Sequence, residues 1–187
     1  MKRLLLAGIL AGLAVFIVSA IDHMVLPIGH MGVRSLPNEE AITAAMRAGI
    51  AAKGLYFFPG MDMTKKMTPE EEKAWLDKYK AGPTGILVYN PGGEDPLMPR
   101  QLVVELLLDI VAACIAAWAV SLTSASFGRR ALLVALFGLF AWLSVSLSNW
   151  NWYSFPMAYI AAEGIDQVVG WLAGGLVIAQ MYRTRRA

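Results

Sequence analysis

The stretch LVVELLLDIVAACIAAWAVSL, residues 102–122, is one apolar run interrupted by acidic residues at only two positions, Glu105 and Asp109. A helix rises about 1.5 Å per residue, so a run of this length reaches across the roughly 30 Å of hydrocarbon in a bilayer. If it is a membrane helix, similar runs elsewhere must be read the same way. Leu4–Leu26, Ala131–Leu147 and Ala158–Met181 qualify. The composition agrees: 57% apolar residues, 16% charged and a mean hydropathy of +0.54 exceed the values of ordinary soluble domains. The expected fold is membrane all-α, a four-transmembrane-helix bundle with a small α+β extracytoplasmic domain between helices 1 and 2. Its parts are helix 1 in residues 1–26, the α+β insertion in 27–100, and helices 2–4 in 101–187.

The first run has a rival reading as a cleaved signal peptide, since Lys2-Arg3, an apolar stretch and VSA before Ile21 resemble a processing site. Charge sets the orientation. Lys2, Arg3, Arg129, Arg130, Arg183, Arg185 and Arg186 fall at the two chain ends and between helices 2 and 3, without acidic neighbours, which puts those segments in the cytoplasm. The other nine basic residues lie in the insertion and are matched there by nine acidic ones. A net charge of +2 divided in this way gives no support for nucleic-acid binding. The partners expected are the lipid bilayer and a second copy or other membrane subunits.

Within the insertion, PNEEAITAAMRAGIAAKG carries Ile42, Ala45, Met46, Gly49 and Ile50 at the spacing of a one-sided helix ending by Gly54. LYFF predicts a strand. TPEEEKAWLDKYKAG opens with Thr68, Pro69 and Glu71, a capping box, and GILVY predicts a second strand closed by an NPGG turn. Its loops lack the Lys and Ser/Thr of a phosphate-binding loop. Cys114 is alone, so no disulfide supports the insertion.

Five carboxylates remain, Asp22, Glu105, Asp109, Glu163 and Asp166, and all fall in membrane runs with no Lys or Arg to pair with. Such a group costs about 2.5 to 3.5 kcal/mol on insertion scales, so each calls for a reason. Helical periodicity gathers them on faces: Gly8, Gly12, Val15, Ser19 and Asp22; Glu105, Asp109, Ala112 and Ala116; Ala141, Ser144, Ser148 and Asn151; Glu163, Gln167, Gly170 and Gly174. Each face is small at its cytoplasmic end and polar at its outer end. Close packing below then leaves a candidate pocket above, built from Asp22, His23, Glu105, Asp109, Asn149, Asn151, Glu163, Asp166 and Gln167. Asp109 and Asp166 are expected to meet there, relieved by a proton, a cation or His23. The plain structural alternative has each carboxylate satisfied by a proton, by neighbouring amides or by water. The two GxxxG spacings, Gly8–Gly12 and Gly170–Gly174, suit packing within the chain or between two copies.

IDHMVLPIGHMG, residues 21–32, adds imidazole and thioether, a combination that suits copper, with His23, Met24, His30, Met31, Met61 and Met63 as the candidate ligands. Met is equally a packing residue, and Pro27 and Gly29 end the first helix ahead of His30. Neither Glu105 nor Glu163 has a His three residues on, as a di-metal carboxylate site would want. HExxH and GxSxG are absent. The sequence thus names no catalytic residue and no cofactor.

SNWNWYSFPMAY and EGIDQVVGWLAGGLVIA, with HMVLPIGH, GLYFFPG and GPTGILVYNPGG, resemble a loose group of small bacterial inner-membrane proteins that have one helix, an outer insertion and three further helices. Ser154 stands where that pattern leads one to expect glycine. The resemblance implies a bacterial location and no activity. Trp150, Trp152, Tyr153 and Phe155 read as an aromatic belt at the outer interface. The expected role is a non-catalytic accessory or binding protein. The alternative is a transporter or small membrane enzyme that uses the pocket for a proton, a cation such as copper, or a small polar ligand.

Overall fold

Seven helices and two short strands make up the described chain. A computed structural model describes residues 1–62, 64–94 and 99–183. Met63, Asp95, Arg185 and Arg186, each used in the sequence reading, lie outside them. The chain is mostly helical and divides into two compact units, residues 1–33 with 96–187, and residues 34–95.

The first unit contains α1 (Lys2–Met24), α4 (Pro99–Ser121), α5 (Phe127–Ala141), α6 (Leu147–Tyr153) and α7 (Met157–Met181), with a 3-10 turn at Pro27–His30. A π turn at Trp142–Ser146 joins α5 to α6, so Phe127–Tyr153 acts as one long helix. Four helices are therefore long and apolar enough to cross a membrane: α1, α4, the α5–α6 rod and α7.

Packing inverts the soluble pattern. Ala7, Ala11, Ala113, Ala116, Ala117, Ala131 and Ala179 are buried, whereas Leu5, Ile9, Leu13, Val103, Leu107, Val111 and Ile115 are exposed. Small buried residues let backbones approach closely. A Cβ built on Gly12 would fall 2.5 Å from Ile110 Cα, and one on Gly8 would strike Cys114. On α7, a Cβ on Gly174 would fall 2.9 Å from Val15 Cγ2, and one on Gly175 would fall 2.7 Å from the Ala131 carbonyl. Both GxxxG spacings are thus occupied by packing within the chain, α1 on α4 and α7 on α1. Val120, Val134 and Ile178 close the core near the chain ends.

Two arginines fasten that end. Arg3 Nε donates to the Met181 carbonyl at 2.6 Å, and Arg130 Nη1 donates to the Tyr182 carbonyl at 2.6 Å. The Arg3 guanidinium also sits 5.1 Å from the Tyr182 ring centroid. Together they satisfy carbonyls that the end of α7 would otherwise leave without donors.

The third helix departs from the periodic reading. Ser144 and Ser148 are exposed and donate to the carbonyls of Phe140 and Ser144, Asn151 is exposed, and Ser146 is buried instead. The π turn adds a residue to one turn and rotates the face that follows it. Trp142, within that turn, donates its indole N–H to the Ile160 carbonyl at 2.7 Å. Within the expected insertion of residues 27–100, residues 27–33 group with the helical unit and residues 34–95 form the second compact unit.

That second unit holds α2 (Glu39–Gly49), β1 (Gly54–Phe58), α3 (Pro69–Ala81) and β2 (Gly85–Tyr89), and the strands pair antiparallel with Gly54 opposite Tyr89. Thr68 caps α3 through the expected capping box: its Oγ1 accepts the Glu71 N–H at 3.2 Å, while Glu71 accepts the Thr68 N–H at 2.8 Å. Trp75 donates to the Pro59 carbonyl at 3.1 Å. Asp62 accepts the Thr64 hydroxyl at 2.6 Å and its N–H at 3.0 Å, and these bonds hold the Asp62 carboxyl below its ordinary range.

Candidate functional site

Opposite the arginine-fastened end, α1 and α7 separate and the 3-10 turn folds back between them. Two glycines allow it. A Cβ on Gly29 would fall 2.7 Å from His23 Cα, and one on Gly32, at φ 77°, would fall 2.6 Å from the Tyr159 nitrogen. What results is a cavity of about 210 Å³. Asp22 and His23 line it from α1, and Tyr159, Glu163 and Asp166 from α7. Ile28, Gly29 and Ala162 complete the wall with apolar surface.

Asp22 is 5% exposed, and among the described residues its Oδ2 has no hydrogen-bond partner; neither has Asp166 Oδ1. Ser19, one turn before Asp22 and His23, is placed to donate to Asp166 across the α1–α7 contact. The His23 ring is oriented by its own helix, with Nδ1 3.0 Å from the Ser19 carbonyl. A carbonyl only accepts, so Nδ1 carries a hydrogen and Nε2 is left as the variable nitrogen. Tyr159 hydrogen-bonds to Glu163 one turn along α7. The lining therefore contains three carboxylates, one imidazole, one phenol and no Lys or Arg. Carboxylates are acceptor-only when ionised, so the wall presents acceptors with too few donors to meet them.

Of the nine residues expected to form a pocket, Asp22, His23, Glu163 and Asp166 come together at this cavity. Asp109 lies near enough to Asp166 and Glu105 to interact electrostatically, and its Oδ2 is also without a partner, but it does not line the cavity. Glu105 is exposed on α4, whose residues ahead of Asp109 are exposed apart from a half-buried Leu106. Asn149 and Gln167 are half-buried and Asn151 exposed, all three away from the lining. The π turn accounts for the asparagines, because it carries α6 out of the face that Ser144 would have continued. Tyr159, Ile28, Gly29 and Ala162 escaped the sequence reading. The one available signal was Tyr159 standing four residues before Glu163, on the same helical face.

For the copper ligands, His23 lines the cavity while His30 and Met24 are exposed, Met24 at 76%. Met31 is exposed, Met61 belongs to the second unit, and Met63 lies outside the described residues. Among the described residues no three of His, Cys, Asp and Glu converge as a metal site would need. No family model, curated protein or solved structure matches the chain.

Proposed function

We propose that this chain is a multi-pass protein of the bacterial inner membrane whose role is binding rather than catalysis, and that it binds a small cationic species in the cavity between α1 and α7. The observation that carries the reading is Asp22: a carboxylate 5% exposed, with an oxygen that has no partner among the described residues, in a wall whose described residues include no basic side chain other than His23. Intramembrane acidic groups mark ligand and ion sites more often than packing positions, and an acidic wall favours a positive ligand. Membrane residence is supported by the four long apolar helices and by large side chains, such as Leu107 and Ile115, facing outward over a core of Ala and Gly. The basic residues at the chain ends and between α4 and α5 support cytoplasmic termini, with residues 27–100 outside. The resemblance to small bacterial inner-membrane proteins agrees with that location.

The test is a thermal-unfolding panel on detergent-purified protein. Sodium, potassium, magnesium, calcium, copper and organic ammonium chlorides are compared at matched ionic strength, for wild type and Asp22→Asn. At least one cation should raise the wild-type midpoint saturably and leave Asp22→Asn unmoved. Equal response of both proteins to every cation would remove the reading.

A further inference from the structure

Resting on that cation-binding reading, we infer that the cavity takes a primary ammonium group, carried by a small amine or by an aminolipid headgroup. Size is the first ground. About 210 Å³ holds about seven water-sized groups at ~30 Å³ each, far more than a bare ion fills. Ligand geometry is the second. A divalent ion wants three or more donors converging on one point, and among the described residues no three of His, Cys, Asp and Glu do so.

An ammonium group has the opposite needs. It carries three N–H donors and no acceptor, and the cavity is lined from facing helices by the Asp22, Glu163 and Asp166 carboxylates; Asp22 and Asp166 each also hold one enclosed oxygen with no donor among the described residues. Charge-assisted hydrogen bonds to such oxygens are among the strong ones. The remaining wall suits the rest of such a molecule. Ile28 and Ala162 offer apolar contact to a short carbon chain, while Tyr159 presents an aromatic ring and Glu163 a further acceptor. A quaternary ammonium has no N–H to give to the lining carboxylates, so the site should discriminate between the two.

The full-length protein is assayed by calorimetry and thermal unfolding with ethanolamine hydrochloride, tetramethylammonium chloride and inorganic chlorides. It is assayed separately in nanodiscs of phosphatidylethanolamine with phosphatidylglycerol against phosphatidylcholine with phosphatidylglycerol. The expected result is saturable stabilisation by the primary ammonium in at least one format, at least tenfold tighter than by its quaternary counterpart. A response to free ethanolamine identifies a soluble amine, and a response confined to phosphatidylethanolamine discs identifies the lipid headgroup. Asp22→Asn and Asp166→Asn should each weaken the effect at least tenfold; should either fail to fold, the wild-type preference for primary over quaternary ammonium decides alone. Equal binding of both ammonium types overturns the inference. Binding of an inorganic cation alone, lost in Asp22→Asn, also overturns it while leaving the cation-binding reading intact. No response to any cation removes both.

Discussion

The two ends of the helical unit are built from the same helices on opposite principles. Near the chain termini, Gly8, Gly12, Gly174 and Gly175 bring backbones into contact, Val120, Val134 and Ile178 are fully buried, and the end of α7 is met by Arg3 and Arg130. At the other end, α1 and α7 hold a cavity between them, and Asp22 and Asp166 carry oxygens that have no hydrogen-bond partner among the described residues. The contrast assigns stability to one end and leaves the other as the place for the binding proposed above. Tight small-residue packing supplies the rigidity that lets the opposite end keep costly polar groups in place.

Overfilling the packed end should give the largest effect. In Gly12→Leu a branched side chain must displace the α4 backbone at Asp109 and Ile110, so folded protein is lost or destabilised by about 3 kcal/mol, as read by dodecyl sulfate titration in mixed micelles. Tolerance of that change would mean the helices are not held as described. At the cavity end the sign reverses. Asp22→Asn in ligand-free protein should stabilise by about 1 kcal/mol in the same assay, because Asp22 is an acidic side chain buried in an apolar helix with an oxygen that has no donor among the described residues. Destabilisation would show that Asp22 is satisfied and belongs with the packed end.

Two changes in the second unit serve as controls of ordinary size. Thr68→Ala removes the α3 capping box and should lower the stability of that unit by about 1 kcal/mol, followed by hydrogen exchange over Pro69–Ala81. Thr64→Ala should have the smallest effect, present at neutral pH and fading in acid. The Asp62 carboxyl is depressed in the folded chain, first by the Thr64 hydroxyl and then by its N–H. Its contribution is therefore present above the unfolded value of about 3.9 and is lost as pH falls through the folded value. The variant should accordingly be slightly less stable than wild type at neutral pH and converge on it as pH falls through the folded value, with a shallower acid-side slope.

How much of this was legible beforehand follows from the range of each interaction. The apolar runs, the Thr68–Glu71 box and the GILVY strand are local signals, and each matches an element of the structure. The carboxylates of α1 and α7 could be placed on inward faces because both helices keep a regular period up to Asp22 and from Glu163. Regularity failed in the third helix, where a π turn at Trp142–Ser146 has no residue pattern of its own. The cavity wall was invisible for a different reason. Ile28 and Gly29 reach it only because a turn folds back against His23, a contact made in three dimensions. Ser154 has a left-handed φ of 57°, the conformation glycine adopts without strain, at the turn between α6 and α7.

The central claim is an open, acid-lined cavity on the non-cytoplasmic side between α1 and α7, and cysteine labelling tests it most directly. His23→Cys in a Cys114→Ala background is exposed to a membrane-impermeant maleimide in intact cells whose outer barrier has been made permeable. The expected result is rapid labelling from the outside, with a cysteine at Ala117, buried in the packed end, unreactive under the same conditions. Labelling of position 23 only after the inner membrane is opened, or labelling of both positions alike, would contradict it.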